Sequence, residues 1–261
     1  MYKNLKSDHE STALTFSTED SVKARYAIFD LLKTYQGTEG EKERSLGLFI
    51  RGSLLARILA TAEIYKEIVE IPGIILDLGT WRGQTAVLCE NFRAIYEPLN
   101  FNRRIVCFDT FEGYQGFCSK DKPTELHREE TYSLTKSYAD FLSDLLVLHE
   151  QSNAMGHNNH KHKVVTGDCR ETLPGFFADN PNELVALAFF DLNCYEPTQA
   201  AFEAVFERLV TGGILAFWQL TRDSVPAEAS FYAQEVMNNS AYPHKLKKVS
   251  IYPGLCYLQK V

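Results

Sequence analysis

Three carboxylates stand at the ends of three successive apolar runs in this chain. Asp77 lies in Leu76-Asp77-Leu78-Gly79-Thr80-Trp81-Arg82-Gly83-Gln84-Thr85, Asp109 follows Ile105-Val106-Cys107-Phe108, and Asp168 closes Val164-Val165-Thr166-Gly167-Asp168. Gly79 and Gly83 suit a tight strand-to-helix turn, since glycine tolerates positive φ. The turn is a poor phosphate site. A dinucleotide loop wants three glycines, the middle one letting the backbone approach a pyrophosphate, and here the bulky Trp81 fills the gap. The Gly-Lys-Ser/Thr ending of a P-loop is missing as well. Asp77, just before the turn, repels a phosphate and attracts a cationic amino acid or a sulfonium. Asp109 is placed to accept hydrogen bonds from two ribose hydroxyls, and Asp168 to reach an adenine amino group. Taken singly, Asp109 reads equally as a helix N-cap and Asp168 as a turn residue. The three together favour a ligand.

Further along, His127 sits in Leu126-His127-Arg128-Glu129-Glu130. A histidine that titrates near ~6.5 suits general-base work at neutral pH; the competing reading is a solvated surface histidine in a charged run. Asp191, in Asp191-Leu192-Asn193 at the end of a fourth apolar run, is placed inside the expected cleft, to orient an acceptor or share its proton, with Asn193 beside it. His157, His160 and His162 lie in a Gly/Asn-rich stretch without cysteine or carboxylate ligands, which reads as a mobile polar loop rather than a metal site.

The elements that must hold these groups alternate. Short apolar runs at 74–76, 105–108, 164–165, 184–190 and 214–217 read as strands buried on both faces. Helical spacing covers 21–35, 48–69, 84–96, 138–149, 199–209 and 227–238, and a closing pair, 246–251 and 255–259, flanks Pro253-Gly254. Such alternation implies right-handed crossovers and a mostly parallel sheet, with ligands at the carboxyl ends of the strands. The expected fold is α/β: a Rossmann-like, mostly parallel seven-stranded sheet with an antiparallel C-terminal strand and helices on both faces. Residues 1–45 read as an N-terminal arm and helix (a lid or subunit contact), and 46–261 as the main domain, with a lid-like insertion at about 111–162.

Composition narrows the partners. The 261 residues are 45% hydrophobic and 23% charged, with a formal net charge of −7. That charge disfavours nucleic acid or an anionic membrane, and a small molecule is the default ligand. The six cysteines form no Cys-x-x-Cys pair, and Cys107 and Cys194 sit in apolar runs that read as strands, where a free thiol behaves as a small hydrophobe. With a polar N-terminus and no apolar spanning segment, a cytoplasmic location is expected.

The stretches LDLGTWRGQTAV, IVCFDTFEGY, GDCRETLPGFF, FFDLNCYEPT and LVTGGILAF resemble class I S-adenosylmethionine-dependent methyltransferases, and more narrowly the macrocin O-methyltransferase family of antibiotic sugar methyltransferases. They run in family order from about residue 70 to 220. The resemblance implies S-adenosylmethionine held by Asp77, Gly79, Thr80, Trp81, Arg82, Gly83, Thr85, Asp109, Thr110, Phe111, Gly167, Asp168 and Asp191. It implies a sugar hydroxyl as methyl acceptor, with His127, Asp191 and Asn193 as the catalytic candidates. It also implies a magnesium ion on an Asp-Gly-Asp motif and a later Asp-Asp pair. Here those motifs read Asp191-Leu192-Asn193 and Trp218-Gln219, so a hard cation keeps one carboxylate of the set, and no tightly bound metal is expected. The partner is a sugar-containing small molecule, with a homo-oligomer as a further option. A nicotinamide-dependent sugar oxidoreductase and an inactive methyltransferase-like binding protein are the alternatives. Trp81 and the missing third glycine count against the first, and the retained Asp77, Asp109 and His127 against the second.

Overall fold

The computed structural model describes residues 18–123, 127–129, 131–153, 160–221 and 225–261. The chain divides into two compact units, Met1–Ile58 and Leu59–Val261. In the first, Thr18 caps helix α1 (Glu19–Thr34), which buries none of its residues. Helix α2 (Glu39–Arg44) starts from a capping box in which Thr38 and Glu41 satisfy each other's backbone N–H groups. A 3₁₀ turn (Leu46–Phe49) leads to α3 (Gly52–Glu67), which crosses the unit boundary.

The second unit is a seven-stranded sheet in the order β3-β2-β1-β4-β5-β7-β6. Strands β1 (Ile74–Leu78), β2 (Ile105–Asp109), β3 (His162–Thr166), β4 (Val185–Phe190) and β5 (Leu209–Phe217) run parallel, while β7 (Cys256–Lys260) is antiparallel to both β5 and β6 (His244–Lys248). The antiparallel strand is thus the last but one in the sheet, and β6 covers its outer edge. Strand order reverses between β1 and β4, the place where such sheets bind ligands.

Every residue of β1 and β4 is buried, and the side chains alternate between two faces. Ile74, Leu76, Leu78, Val106 and Phe108 share one cluster with Leu173, Phe176 and Phe177 of α6 (Cys169–Asp179) and Phe202, Val205 and Phe206 of α7 (Tyr195–Arg208). The opposite face carries Ile75, Asp77 and Cys107 toward α4 (Gln84–Tyr96), whose Cys89 feels the Asp77 carboxylate. Helix α5 (Tyr138–Asn153) packs against α4 and β3, and the short α8 (Ala227–Phe231) against α7.

Several local expectations change. Helix α6, unassigned in the sequence reading, starts at the N-cap Asp168 and continues through Pro174. Cys194 is the N-cap of α7 rather than a strand residue. His162 is not in a polar loop: it opens β3, and its ring lies 2.8 Å from Glu90 and 3.5 Å from Glu150, in a cluster that also buries Arg93 and Lys161. His157 lies outside the described residues, as do 1–17 of the N-terminal arm. All six cysteines are free thiols. Among the described residues, no helix is long and apolar enough to cross a membrane.

Candidate active site

The turn after β1 is clamped from both sides. Gly79 N–H donates to Phe108 O at 2.9 Å, and Asp191 N–H donates to Leu78 O at 2.9 Å. A Cβ on Gly79, which has φ 80°, would stand 2.5 Å from the Asp191 carbonyl oxygen, so only glycine lets β1 and β4 meet this closely. Gly83 (φ 78°) opens α4, and a side chain there would overlap Leu142 of α5.

Asp109 ties this turn to the next. Its two carboxylate oxygens accept the backbone N–H groups of Trp81 and Phe111, each at 2.7 Å. Both donors have left-handed backbones, Trp81 at φ 48° and Phe111 at φ 57°. Left-handed non-glycine residues cost energy and persist where surrounding structure over-determines them; here the carboxylate does so. Burial raises the Asp109 pKa, against the two backbone hydrogen bonds that lower it, and nearby Asp191 raises it further. Thr110 closes its own turn by donating to Gly113 O at 3.0 Å.

Asp77 is buried within β1, beneath the turn rather than on it, and Thr80 donates to its backbone oxygen at 2.7 Å. Thr85 is buried in the first turn of α4, and Arg82 is exposed with its guanidinium over the Trp81 ring. Gly167 (φ 132°) precedes Asp168, which caps α6 by accepting Arg170 N–H at 2.9 Å. The Arg170 guanidinium also grips the Asp168 carboxylate; against burial, which raises it, these bonds hold the Asp168 pKa below the usual carboxylate range. Sequence reasoning missed Arg170.

His127 is 1% exposed, which removes the surface reading. Its Nε2 lies 2.5 Å from the Asn193 carbonyl oxygen. A carbonyl only accepts, so Nε2 carries a hydrogen and donates it. The ring packs edge-on against Tyr114, with centroids 5.1 Å apart, and against Phe117 at 4.8 Å. Tyr114 meets Tyr132 at 5.2 Å, and Tyr132 meets Trp81 at 5.3 Å. An aromatic chain thus runs from Trp81 in the β1 turn through Tyr132 and Tyr114 to His127.

Asn193, left-handed at φ 61°, points its Nδ2 at Asp191 Oδ1 (3.1 Å) and at the Tyr114 hydroxyl (3.1 Å). Gln219, just past β5, donates its Nε2 to the same Asp191 Oδ1 at 3.2 Å. The structure therefore brings His127, Asp191 and Asn193 together at the end of β4, and Tyr114 and Gln219 join them.

A family profile described as Macrocin-O-methyltransferase (TylF) matches residues 53–239, most of the chain. The chain belongs to the macrocin O-methyltransferase family. A structure described as CalS11, a calicheamicin methyltransferase, is similar to it at 28% identity with a TM-score of 0.88, covering 98% of this chain and 99% of that one. The apo structure of CalS11, described as a TDP-rhamnose 3'-O-methyltransferase, aligns at 29% identity with a TM-score of 0.80, over 93% of this chain and 95% of that one. The O-methyltransferase NovP shares the fold at 15% identity and a TM-score of 0.60, over 79% and 80% of the two chains. No curated protein matches the chain significantly.

The protein is an S-adenosylmethionine-dependent O-methyltransferase of this type. At the strand ends each Asp109 oxygen keeps lone pairs beyond the backbone bond it accepts, free to receive a ligand's hydrogen bonds. Asp191 is the one carboxylate left at the two motif positions, and two amide N–H groups, not oxygens, face its Oδ1. The oxidoreductase alternative fails on geometry. Tyr132 and Lys136 have the Tyr-x-x-x-Lys spacing such enzymes use on a helix, but Tyr132 sits in a turn at φ 74°.

Proposed function

We propose that this methyltransferase methylates a sugar hydroxyl of a natural product or a nucleotide-linked deoxysugar, with His127 as general base and without a bound divalent cation. The observation that carries the reading is the hydrogen-bonded cluster of His127, Asn193, Tyr114 and Asp191 at the end of β4, in which His127 and Asn193 are buried. When bound, S-adenosylmethionine supplies a methyl group on a positively charged sulfur. Asp109 and the β1 turn, with Gly79, Thr80, Trp81, Arg82, Gly83, Thr85, Thr110 and Phe111, hold that cofactor in this reading, and Gly167 and Asp168 flank its base. The Asp191 carboxylate, fixed by two amides, accepts a hydrogen bond from an acceptor hydroxyl and orients it. His127 takes the proton of the acceptor hydroxyl. The Asn193 carbonyl, already holding Nε2–H, then stabilises the imidazolium. The aromatic chain from Trp81 to Phe117 keeps water out, which favours a reaction in which charge disappears.

The sugar assignment draws on likeness to a protein described as acting on TDP-rhamnose. Labelled-methyl transfer to a panel of nucleotide-linked deoxysugars and to catechols tests it. Transfer to the sugars supports the reading, and transfer confined to catechols overturns it.

A further inference from the structure

Helix α7 does not cap itself. Among the described residues its N-cap, Cys194, makes no side-chain capping bond, and its third position is Pro197, which has no N–H to offer. The cap comes from far upstream. Asp121, buried at 6% exposure, accepts the Tyr195 N–H through Oδ1 at 2.9 Å. A carboxylate suits the place, because the start of a helix carries partial positive charge. Its Oδ2 accepts the Cys118 N–H at 2.9 Å, and its own N–H donates to Cys118 O at 3.1 Å. One side chain therefore closes a turn over 118–121 and fastens that turn to the start of α7. Lys120 adds a second hold on the same residue, donating from Nζ to the Tyr195 hydroxyl at 2.8 Å. That hydroxyl donates onward to Glu235 at 3.0 Å.

Both partners of Asp121 adjoin the supports of His127. Cys118 follows Phe117, whose ring lies 4.8 Å from the His127 ring. Tyr195 stands just beyond Asn193, whose carbonyl oxygen takes the His127 Nε2 hydrogen at 2.5 Å. Asn193 is left-handed at φ 61°, a backbone that persists where its surroundings over-determine it. His127 bonds to the carbonyl of that residue, and Asp121 to the next N–H but one. We propose that Asp121 is a positioning residue of the methyl-transfer site: by joining Cys118 to Tyr195 it fixes the Phe117 ring and the Asn193 carbonyl, and so holds the His127 imidazole in place. Its effect on rate rests on the reading of His127 as general base; its effect on the ring does not.

The test is NMR of the full chain labelled with nitrogen-15 at histidine. The His127 Nε2–H, identified by its loss in His127→Ala, should exchange slowly with solvent in the wild type. The His162 ring, held by Glu90 at 2.8 Å, serves as a marker of the intact fold. In Asp121→Ala the His127 signal should exchange at least ~tenfold faster or vanish, while the His162 signal stays. Asp121→Asn, which keeps one acceptor oxygen, should fall between the two. Single-turnover methyl transfer to a nucleotide-linked deoxysugar should slow by ~tenfold or more in Asp121→Ala. The same change made in His127→Ala should slow it by less than ~twofold, because the group it positions is already gone. An unaltered His127 signal, loss of the His162 signal along with it, equal slowing with and without His127, or failure of both Asp121 variants to fold would each overturn the proposal. If His127→Ala transfers methyl groups at the wild-type rate, the base assignment is what fails, and the signal comparison alone decides whether Asp121 holds the ring.

Discussion

His127 illustrates how much a single residue's surroundings decide. In sequence it stands in a charged run; in the fold it is buried against Tyr114 and Phe117 with Nε2 on a backbone oxygen. Replacing it with alanine should slow the chemical step by ~10²–10⁴-fold and leave the dissociation constant of S-adenosylhomocysteine unchanged; single-turnover rates and calorimetry separate the two effects. Asp109 makes the opposite prediction. Asp109→Asn keeps one acceptor oxygen for two backbone donors, so it should cost ~1–3 kcal/mol of stability and weaken cofactor binding, read by melting with and without S-adenosylhomocysteine. An Asp109→Asn chain as stable as wild type would show that the carboxylate does not hold the two turns. The acids at 77, 109 and 168 were legible as a set because their spacing against apolar runs is a sequence property. Arg170 and Asp121 were not, because nothing in a sequence says which groups a charged side chain will meet.

The elements follow the same division. Strand β4 announces itself as an unbroken apolar run, and β1 and β2 as apolar runs up to Asp77 and Asp109, since a sheet covered on both faces needs few polar residues. Helix α6 was hidden by Pro174-Gly175, although Asp168 with Glu171 three residues later is a usable start signal. Strand β3 was read three residues short, two of them at its start because His162 looks polar, yet its ring lies between Glu90 and Glu150. That cluster is an element-scale device that joins α4, α5 and β3. Removing one partner strands buried charge, so Glu90→Ala should destabilise by ~3–5 kcal/mol. Burial raises the Glu90 pKa, but bonds from His162 and Arg93 outweigh it and leave it lowered. A lowered carboxyl pKa adds stability above the unfolded value and loses it as pH falls through the folded one. The wild type should thus lose its advantage over Glu90→Ala as the solution is acidified below the ordinary carboxylate range, and chemical denaturation at several pH values checks the sign. Gly79→Ala should fail for a different reason, a Cβ driven into the Asp191 carbonyl, and should lose folding yield and cofactor binding together.

For the molecule as a whole, alternation of strands and helices was enough to give the class of fold, its parallel core and an antiparallel strand near the C-terminus, because crossover handedness leaves few arrangements. The sequence also placed Asn193 and Trp218-Gln219 where the resembled family has carboxylates. It could not show how they meet Asp191, since that depends on the side-chain directions of Asn193 and Gln219 around one carboxylate. In the proposed mechanism this cluster lets His127 take the proton without a divalent cation. The most direct measurement is the rate of labelled-methyl transfer to a nucleotide-linked deoxysugar in excess chelator. An undiminished rate that collapses only in His127→Ala is the outcome expected of a cation-free mechanism. A rate lost in chelator and restored by magnesium would contradict it.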